Sequence, residues 1–441
     1  MTIAIVLQFL VVFAAIWMGA QSSGVGLGLW GAVGLLVLMV VFGVNPTSPP
    51  IDVMLIILAV IMAASVMDAA GGIDFLVRIA ERVIRANPKY VTIVAPLTTW
   101  AFTFVAGTGH IVYPLLPVIY ETAHQTGIRP ERPMAVATIA SQQAITASPV
   151  AAATAAMIGL FAEKGLTQWS LPQILMICVP ATLCGVLAAA IVSMFVGKDL
   201  KDDPEYQALL AAGKVPAPKA AGERPPLKPA AKRSAYLFLV GVGLVVLFGF
   251  FPALRTLPGA KGPLAMPTVI EVIMLAIAAI MLLATKVNVD EVPKTPTLRA
   301  GVVAVIGIFG LAWLGDSFIA ANQNVIVPAI ENLTKAAPWT FAFGLFFASV
   351  LLYSQAATTR ALMPLGIALG IPPQFLIAMF PSVNGYFFIP TYGSLIAAIN
   401  FDLAGTTKIG KYVLNHSFMI PGLVATAVAV VVGLFLAKVM F

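Results

Sequence analysis

Charge is the scarcest property of this sequence. Only 10% of its 441 residues are Asp, Glu, Lys or Arg, against 60% that are hydrophobic, and that leaves too little polar surface to cover a soluble globule. Cysteine and histidine are nearly missing too. Cys178 and Cys184 lie six residues apart in one apolar run, a spacing that on a helix holds the side chains too far apart to bridge. His110, His124 and His416 are scattered along the chain. No metal-ligand cluster and no nucleophile with a placed base accompanies them. These absences imply no disulfide, no metal and no cofactor, and they leave an intramembrane enzyme as a remote alternative.

What the sequence has in abundance is apolar runs of about 20 residues, the length that spans the hydrocarbon layer, recurring from Ile3 to Val439. The first, Ile3 to Ala20, has no basic residue before it and no small-residue cleavage site, so it is expected to be a retained helix rather than a signal peptide. The formal net charge of +7 reads as membrane orientation, not as affinity for nucleic acid. Arg78, Arg82, Arg85 and Lys89 form the first basic cluster, which the positive-inside rule puts in the cytoplasm. Threading from it, spans near 3–20, 25–43 and 51–70 place the N-terminus in the periplasm. The basic residues of the remaining loops support the same threading, and the C-terminus is then also periplasmic.

Two stretches of each half are interrupted. In the first half, 91–122 is broken at Ala106-Gly107-Thr108-Gly109-His110 and reads as a re-entrant hairpin, followed by a broken span near 134–161 and a closing span near 171–196. Residues 197–234, rich in Lys, Asp, Pro and Ala, read as a disordered cytoplasmic linker. The second half offers spans near 235–251, 268–285 and 300–319, a hairpin at 339–370 broken around Ser354 to Arg360, a broken span near 374–399 and a last span near 417–437. The expected fold is an all-α polytopic membrane protein, 1–196 and 235–441 forming an inverted repeat. Each half then has about five spanning helices, one of them broken, plus one hairpin. Thr108, His110, Pro114 and Leu115 fall opposite Thr358, Arg360, Pro364 and Leu365 at one offset. Gly127, Ile128, Pro130, Ser141 and Ser148 fall opposite Gly370, Ile371, Pro373, Asn384 and Thr391 at another.

Paired interruptions in two inverted halves point to a transporter's substrate site near the midplane. Unpaired backbone groups at membrane depth persist only where protein, water or ligand satisfies them, and half-helix N-termini present N–H donors with a partial positive charge suited to a small dianion. The candidate binding residues are Thr108, Gly109, His110, Thr146, Ser148, Ser354, Gln355, Thr358, Arg360, Asn384 and Thr391. Arg360, with no other charge near it in the sequence, reads either as a bidentate fork for a substrate carboxylate or as a snorkelled interfacial residue. His110 reads as a carboxylate ligand or titrating group, or else as a structural cap. Asp52, Asp68, Asp74 and Asp316 lie near predicted span ends and read as interfacial. A channel would also use half-helices, but paired inverted breaks favour an occluded site.

The residues also carry a family pattern. It includes Pro-Pro-Ile-Asp-Val-Met-Leu (49–55), Ala-Gly-Gly-Ile-Asp (70–74), Asn-Pro-Lys-Tyr-Val (87–91), Gly-Thr-Gly-His-Ile-Val-Tyr (107–113) and Ile-Arg-Pro-Glu-Arg-Pro (128–133). In the second half come Ser-Gln-Ala-Ala (354–357), Ile-Pro-Thr-Tyr (389–392), Phe-Asp-Leu-Ala-Gly-Thr-Thr (401–407) and Asn-His-Ser-Phe (415–418). From end to end the chain resembles the anaerobic four-carbon dicarboxylate transporter (Dcu) family. The resemblance implies fumarate/succinate antiport, uptake of malate and aspartate across a bacterial inner membrane, and kinship with the ion-transporter superfamily. Members of that superfamily pair a scaffold domain with a moving transport domain, commonly as homodimers. Coupling to H⁺ or Na⁺ stays open, as does a carrier of another small organic anion. Arg360 departs from the pattern, standing where family members tend to have a small residue.

Overall fold

With lipid as solvent, a chain can satisfy its own backbone only in helices or in closed barrels, and this one takes the first course. The computed structural model describes residues 3–22, 25–215, 226–260, 262–352, 354–390, 392–410 and 414–441, and of 20, 323 and 326–336 the backbone alone. Among the described residues the β-type pairing is an isolated antiparallel bridge, Ile409 to His416.

The first half runs α1 (Ile3–Ser22), α2 (Gly26–Phe42), α3 (Ile51–Ala69), α4 (Gly72–Ala86), α5 (Val91–Ala106), α6 (Leu116–Gln125), α7 (Glu131–Gln143), α8 (Ala152–Glu163) and α9 (Leu171–Ser193). After α10 (Pro204–Ala211), the second half runs α11 (Ala231–Phe250), α12 (Met266–Thr285), α13 (Pro296–Ala336), α14 (Phe341–Leu352), α15 (Gln355–Ala368), α16 (Pro373–Met379), α17 (Gly393–Phe401) and α18 (Met419–Met440). Among the described residues six helices, α3, α9, α11, α12, α13 up to Asn322, and α18, are long and apolar enough to cross a bilayer. Large apolar side chains on the outer faces, among them Val272, Leu283, Val431 and Phe435, stand open to the surroundings, as lipid contact requires. The protein is an all-α, multi-pass membrane protein. The basic cluster at 78–89 lies on and just beyond α4, an amphipathic helix that buries Leu76, Val77, Ala80 and Ile84 along one stripe.

Lipid removes the hydrophobic drive between helices, so close association relies on packing at small residues. The α2–α13 seam shows the extreme case. A Cβ on Gly310 would lie 1.7 Å from the Gly28 carbonyl oxygen, and one on Gly28 would lie 1.9 Å from the Ile306 carbonyl oxygen. The backbones touch, and any side chain would force them apart. Gly185 of α9 meets α18 in the same way, since a Cβ there would lie 2.3 Å from the Ala425 carbonyl oxygen.

Two expectations need correction. The span expected at 300–319 is part of a 41-residue helix, α13, so Asp316 sits in mid-helix rather than at a helix end. The linker expected to be disordered over 197–234 is ordered at its start. Leu200–Asp202 form a 3₁₀ turn and Asp203 caps α10, accepting N–H bonds from Glu205 (3.0 Å) and Tyr206 (3.4 Å). Arg129 pairs with Glu131 and Asp203, Arg132 with Asp199, and His124 bonds the Tyr206 hydroxyl at 2.9 Å. Leu200 and Tyr206 are buried. Averaging composition over the whole segment hid these anchors, because the prolines concentrate further on, at 216–229; of those residues, 216–225 lie outside the described ones.

Candidate functional site

Each interruption has a local cause. Chain reversal after α5 uses Gly107 in the left-handed region (φ +70°), where a Cβ would also come 2.6 Å from the Val150 carbonyl oxygen. Thr108 is extended and accepts the His110 N–H at 3.3 Å, starting a 3₁₀ turn over Gly109–Leu115 that leads into α6. Between α14 and α15, Ser354 is an N-cap whose hydroxyl accepts the Ala357 N–H at 3.2 Å. The stretch 131–163 breaks after α7 through a 3₁₀ turn at Ala144–Thr146. The stretch 373–401 is broken between α16 and α17, first by a 3₁₀ segment at Phe380–Phe387, with Asn384 off helical geometry, and then by the non-helical residues 388–390 and Tyr392.

All four breaks line one cavity of about 850 Å³. Gly107 to His110 come from the first hairpin turn, Ser354 to Ala356 from the second, Gln142 and Ile145 from the first broken stretch, and Tyr392 and Gly393 from the second. The first third of α13 supplies most of the remaining wall, including Pro296, Arg299 and Val303, with single residues of α1, α2 and α14 and the start of α8. A volume of this order is typical of small-molecule sites.

A chain of side-chain amides ties the breaks together. Gln355 donates Nε2 to Gln142 Oε1 (2.9 Å) and to Asn384 Oδ1 (3.2 Å). Asn384 donates Nδ2 to Gln143 Oε1 (3.3 Å) and to the Pro381 carbonyl (3.1 Å), and Gln143 donates Nε2 to Thr426 Oγ1 (2.8 Å). Gln142, Gln143 and Asn384 are almost fully buried. Losing one partner would strand a buried amide, at about 1–3 kcal/mol, so the network fixes the α15 start against both broken stretches. Gly109 lies flat on Gln142, where a Cβ would come 2.3 Å from Nε2.

Of the residues expected from sequence, Thr108, Gly109, His110, Ser354 and Gln355 line the cavity, and Asn384 stands just behind it through Gln355. His110 is exposed on the wall. Thr146, Ser148 and Thr358 are buried and turn their hydroxyls to backbone carbonyls, of Gln143 (2.9 Å), Phe104 (2.7 Å) and Ser354 (2.8 Å). Thr146 and Ser148 satisfy carbonyls beside the breaks and Thr358 bonds back one turn within α15, and none of the three lines the cavity. Thr391 lies outside the described residues.

Arg360 is the main correction. Its side chain is 1% exposed and does not line the cavity. The guanidinium donates Nη1 to Glu163 Oε2 (2.9 Å) and Nη2 to Asp316 Oδ2 (3.0 Å). The lone cation expected to fork a substrate carboxylate is already paired with two protein carboxylates, and neither partner is near it in sequence. One closes α8 and the other sits in mid-α13. Sequence reasoning missed Gln142, Gln143 and Arg299. A Gln-Gln pair inside an apolar run, just before a break, was the available sign; Arg299 was counted only as a loop charge.

Taken together, a multi-pass helical bundle with interrupted helices converging on one polar-lined cavity is the arrangement of a membrane transporter. Residues 4–441 match the family described as anaerobic C4-dicarboxylate membrane transporter (DcuA/DcuB), and the chain belongs to that family. It is 42% identical over 439 residues to the C4-dicarboxylate transporter DcuA of Escherichia coli K12, covering 99% of this chain and 100% of that one. It is 40% identical over 438 residues to DcuA of Wolinella succinogenes (99% and 100% covered). With the anaerobic C4-dicarboxylate transporter DcuB of Escherichia coli O6:H1 it shares 38% over 433 residues, 97% of each chain. Among solved structures it shares a fold with the Alcanivorax borkumensis YdaH transporter, at 14% identity and a TM-score of 0.56, covering 93% of this chain and 89% of that one. The family is one of membrane transporters, not of enzymes.

Proposed function

We propose that this chain is a secondary active transporter that exchanges four-carbon dicarboxylates, fumarate against succinate, and also takes up malate and aspartate. The observation that carries the reading is the convergence of four helix interruptions on one cavity. Helix starts and hairpin turns there offer N–H donors and amides to an anion, while Ala300, Val303 and Ala304 of the α13 wall suit a short carbon chain. The relatives' names support the C4-dicarboxylate class. The cycle is alternating access by an elevator-like movement of the hairpins and broken spans against the remaining helices, the two halves being an inverted repeat, in a homodimer of the bacterial inner membrane. Coupling to H⁺ or Na⁺ is compatible with this cycle.

A carrier must bind and reorient, so counterflow decides the matter. In proteoliposomes, labelled succinate uptake is expected to saturate and to accelerate when fumarate is loaded inside. Linear flux indifferent to internal fumarate would overturn the proposal. Both termini belong in the periplasm, and an impermeant thiol reagent applied to intact cells should therefore label a cysteine placed after Phe441; protection there would overturn the inverted repeat.

A further inference from the structure

With Arg360 withdrawn into protein ion pairs, the cavity needs another fixed positive charge if it is to hold a dianion. We propose that Arg299 is the residue that selects dicarboxylates, its guanidinium holding one substrate carboxylate while the second lies against the start of α15. The assignment rests on the transport reading above and names a residue for it.

Three observations carry it. First, Arg299 is the one permanently charged residue among the described lining residues of the large cavity; the rest of that wall is glycine, alanine, aliphatic side chains, hydroxyls and amides, with His110 and Tyr392. Second, its guanidinium has no hydrogen bond or ion pair among the described residues, and the residue is exposed. Arg85, Arg129, Arg132 and Arg360, by contrast, each hold at least one carboxylate. Third, its place on the helix disfavours a cation. Arg299 is the fourth residue of α13, at the end of a helix where the backbone is already partially positive and a basic side chain is disfavoured. An anion bound beside it removes that conflict.

The start of α15, on the same cavity, completes the pair. Ser354 caps the third N–H of α15, while those of Gln355 and Ala356, as the first two of the helix, have no intrahelical acceptor. Both residues line the cavity. Gln355 is held in place by Gln142 and Asn384, so this end is preorganised, whereas Arg299 has a flexible stem. A substrate bearing carboxylates at both ends engages both walls. One with a single carboxylate engages the α15 end and leaves the guanidinium in water.

The test compares succinate with succinamate, its half-amide of nearly the same shape, by calorimetric binding to purified full-length protein. Wild type is expected to favour succinate. Arg299→Gln should weaken succinate at least about thirtyfold, the loss typical of a desolvated charge pair, while changing succinamate less than about threefold, so that the preference disappears. Arg299→Lys keeps charge and stem but not the planar fork; it should lose several-fold on succinate and leave succinamate alone, and it keeps the test open should the glutamine variant not fold. An equal loss on both ligands would overturn the assignment, since that is damage to the site rather than recognition. Wild-type succinate affinity in Arg299→Gln would also overturn it. If Gln355→Ala then weakens succinate, the cavity reading stands and only Arg299 falls; if Gln355→Ala is also silent, both fall.

Discussion

Arg299 and Arg360 are both arginines on membrane helices, and they have opposite circumstances. Arg360 is enclosed, held by Glu163 and Asp316 from two other helices; Arg299 stands in an open cavity with its guanidinium unpaired among the described residues. A buried cation must be neutralised where it is, because the desolvation cost cannot be recovered otherwise. A cation on a cavity wall keeps its water until a ligand displaces it. The contrast teaches that the isolated charge in the sequence, Arg360, is the structural one, and that the arginine resembling ordinary loop charge is free to meet substrate.

The comparison breaks or holds first on stability. Arg360→Met leaves Glu163 and Asp316 without their shared guanidinium, and is expected to cost about 3–5 kcal/mol, read as a lower thermal midpoint in detergent. Adding Glu163→Gln and Asp316→Asn should restore most of it. In the same measurement Arg299→Gln should stay within about 0.5 kcal/mol of wild type, as substitutions do away from packed or paired groups. Equal effects at the two positions would erase the distinction.

The ion pair of a third arginine, Arg129, gives a smaller effect than that of Arg360. Burial pushes the Asp203 carboxyl up, but its bonds to Arg129 and to the Tyr206 and Glu205 N–H groups outweigh that and hold it below the ordinary carboxylate value. A depressed folded value means that the stabilisation is complete above the unfolded value, about 3.9, and is lost as the pH falls through the folded one. Docking of α10 should therefore persist from neutral pH to about 4 and loosen only below it, followed by hydrogen exchange at 204–211. Asp203→Ala, which also removes the helix cap, should raise exchange there by about 1 kcal/mol at neutral pH; an unchanged rate would mean that the cap and ion pair do not hold α10.

The membrane class was legible because it depends on run length and charge scarcity, which are properties of the sequence alone. The positions of the hairpin breaks were legible too: Gly107 and Ser354 fall where apolar runs give way to Gly, Ser and Thr. Partnership was not. Nothing local to Arg360 tells that residues 197 positions and 44 positions away will supply its carboxylates, and hydroxyl groups such as Thr146 and Ser148 look alike whether they face a ligand or a stranded carbonyl. The amide chain from Gln355 to Thr426 joins residues far apart in sequence, so only folding brings it into view.

The contact of α2 with α13 can be read as a restriction on inheritance. Where Gly28 and Gly310 abut backbone to backbone, the genetic code offers a single acceptable residue, and even alanine adds an atom with nowhere to go. Neither position can be relieved by a change elsewhere, since the obstacles are backbone atoms, the Ile306 carbonyl for Gly28 and the Gly28 carbonyl for Gly310, which no substitution removes. Homologues that retain this seam should therefore vary freely on the lipid faces of both helices while spelling the contact itself with the same two letters.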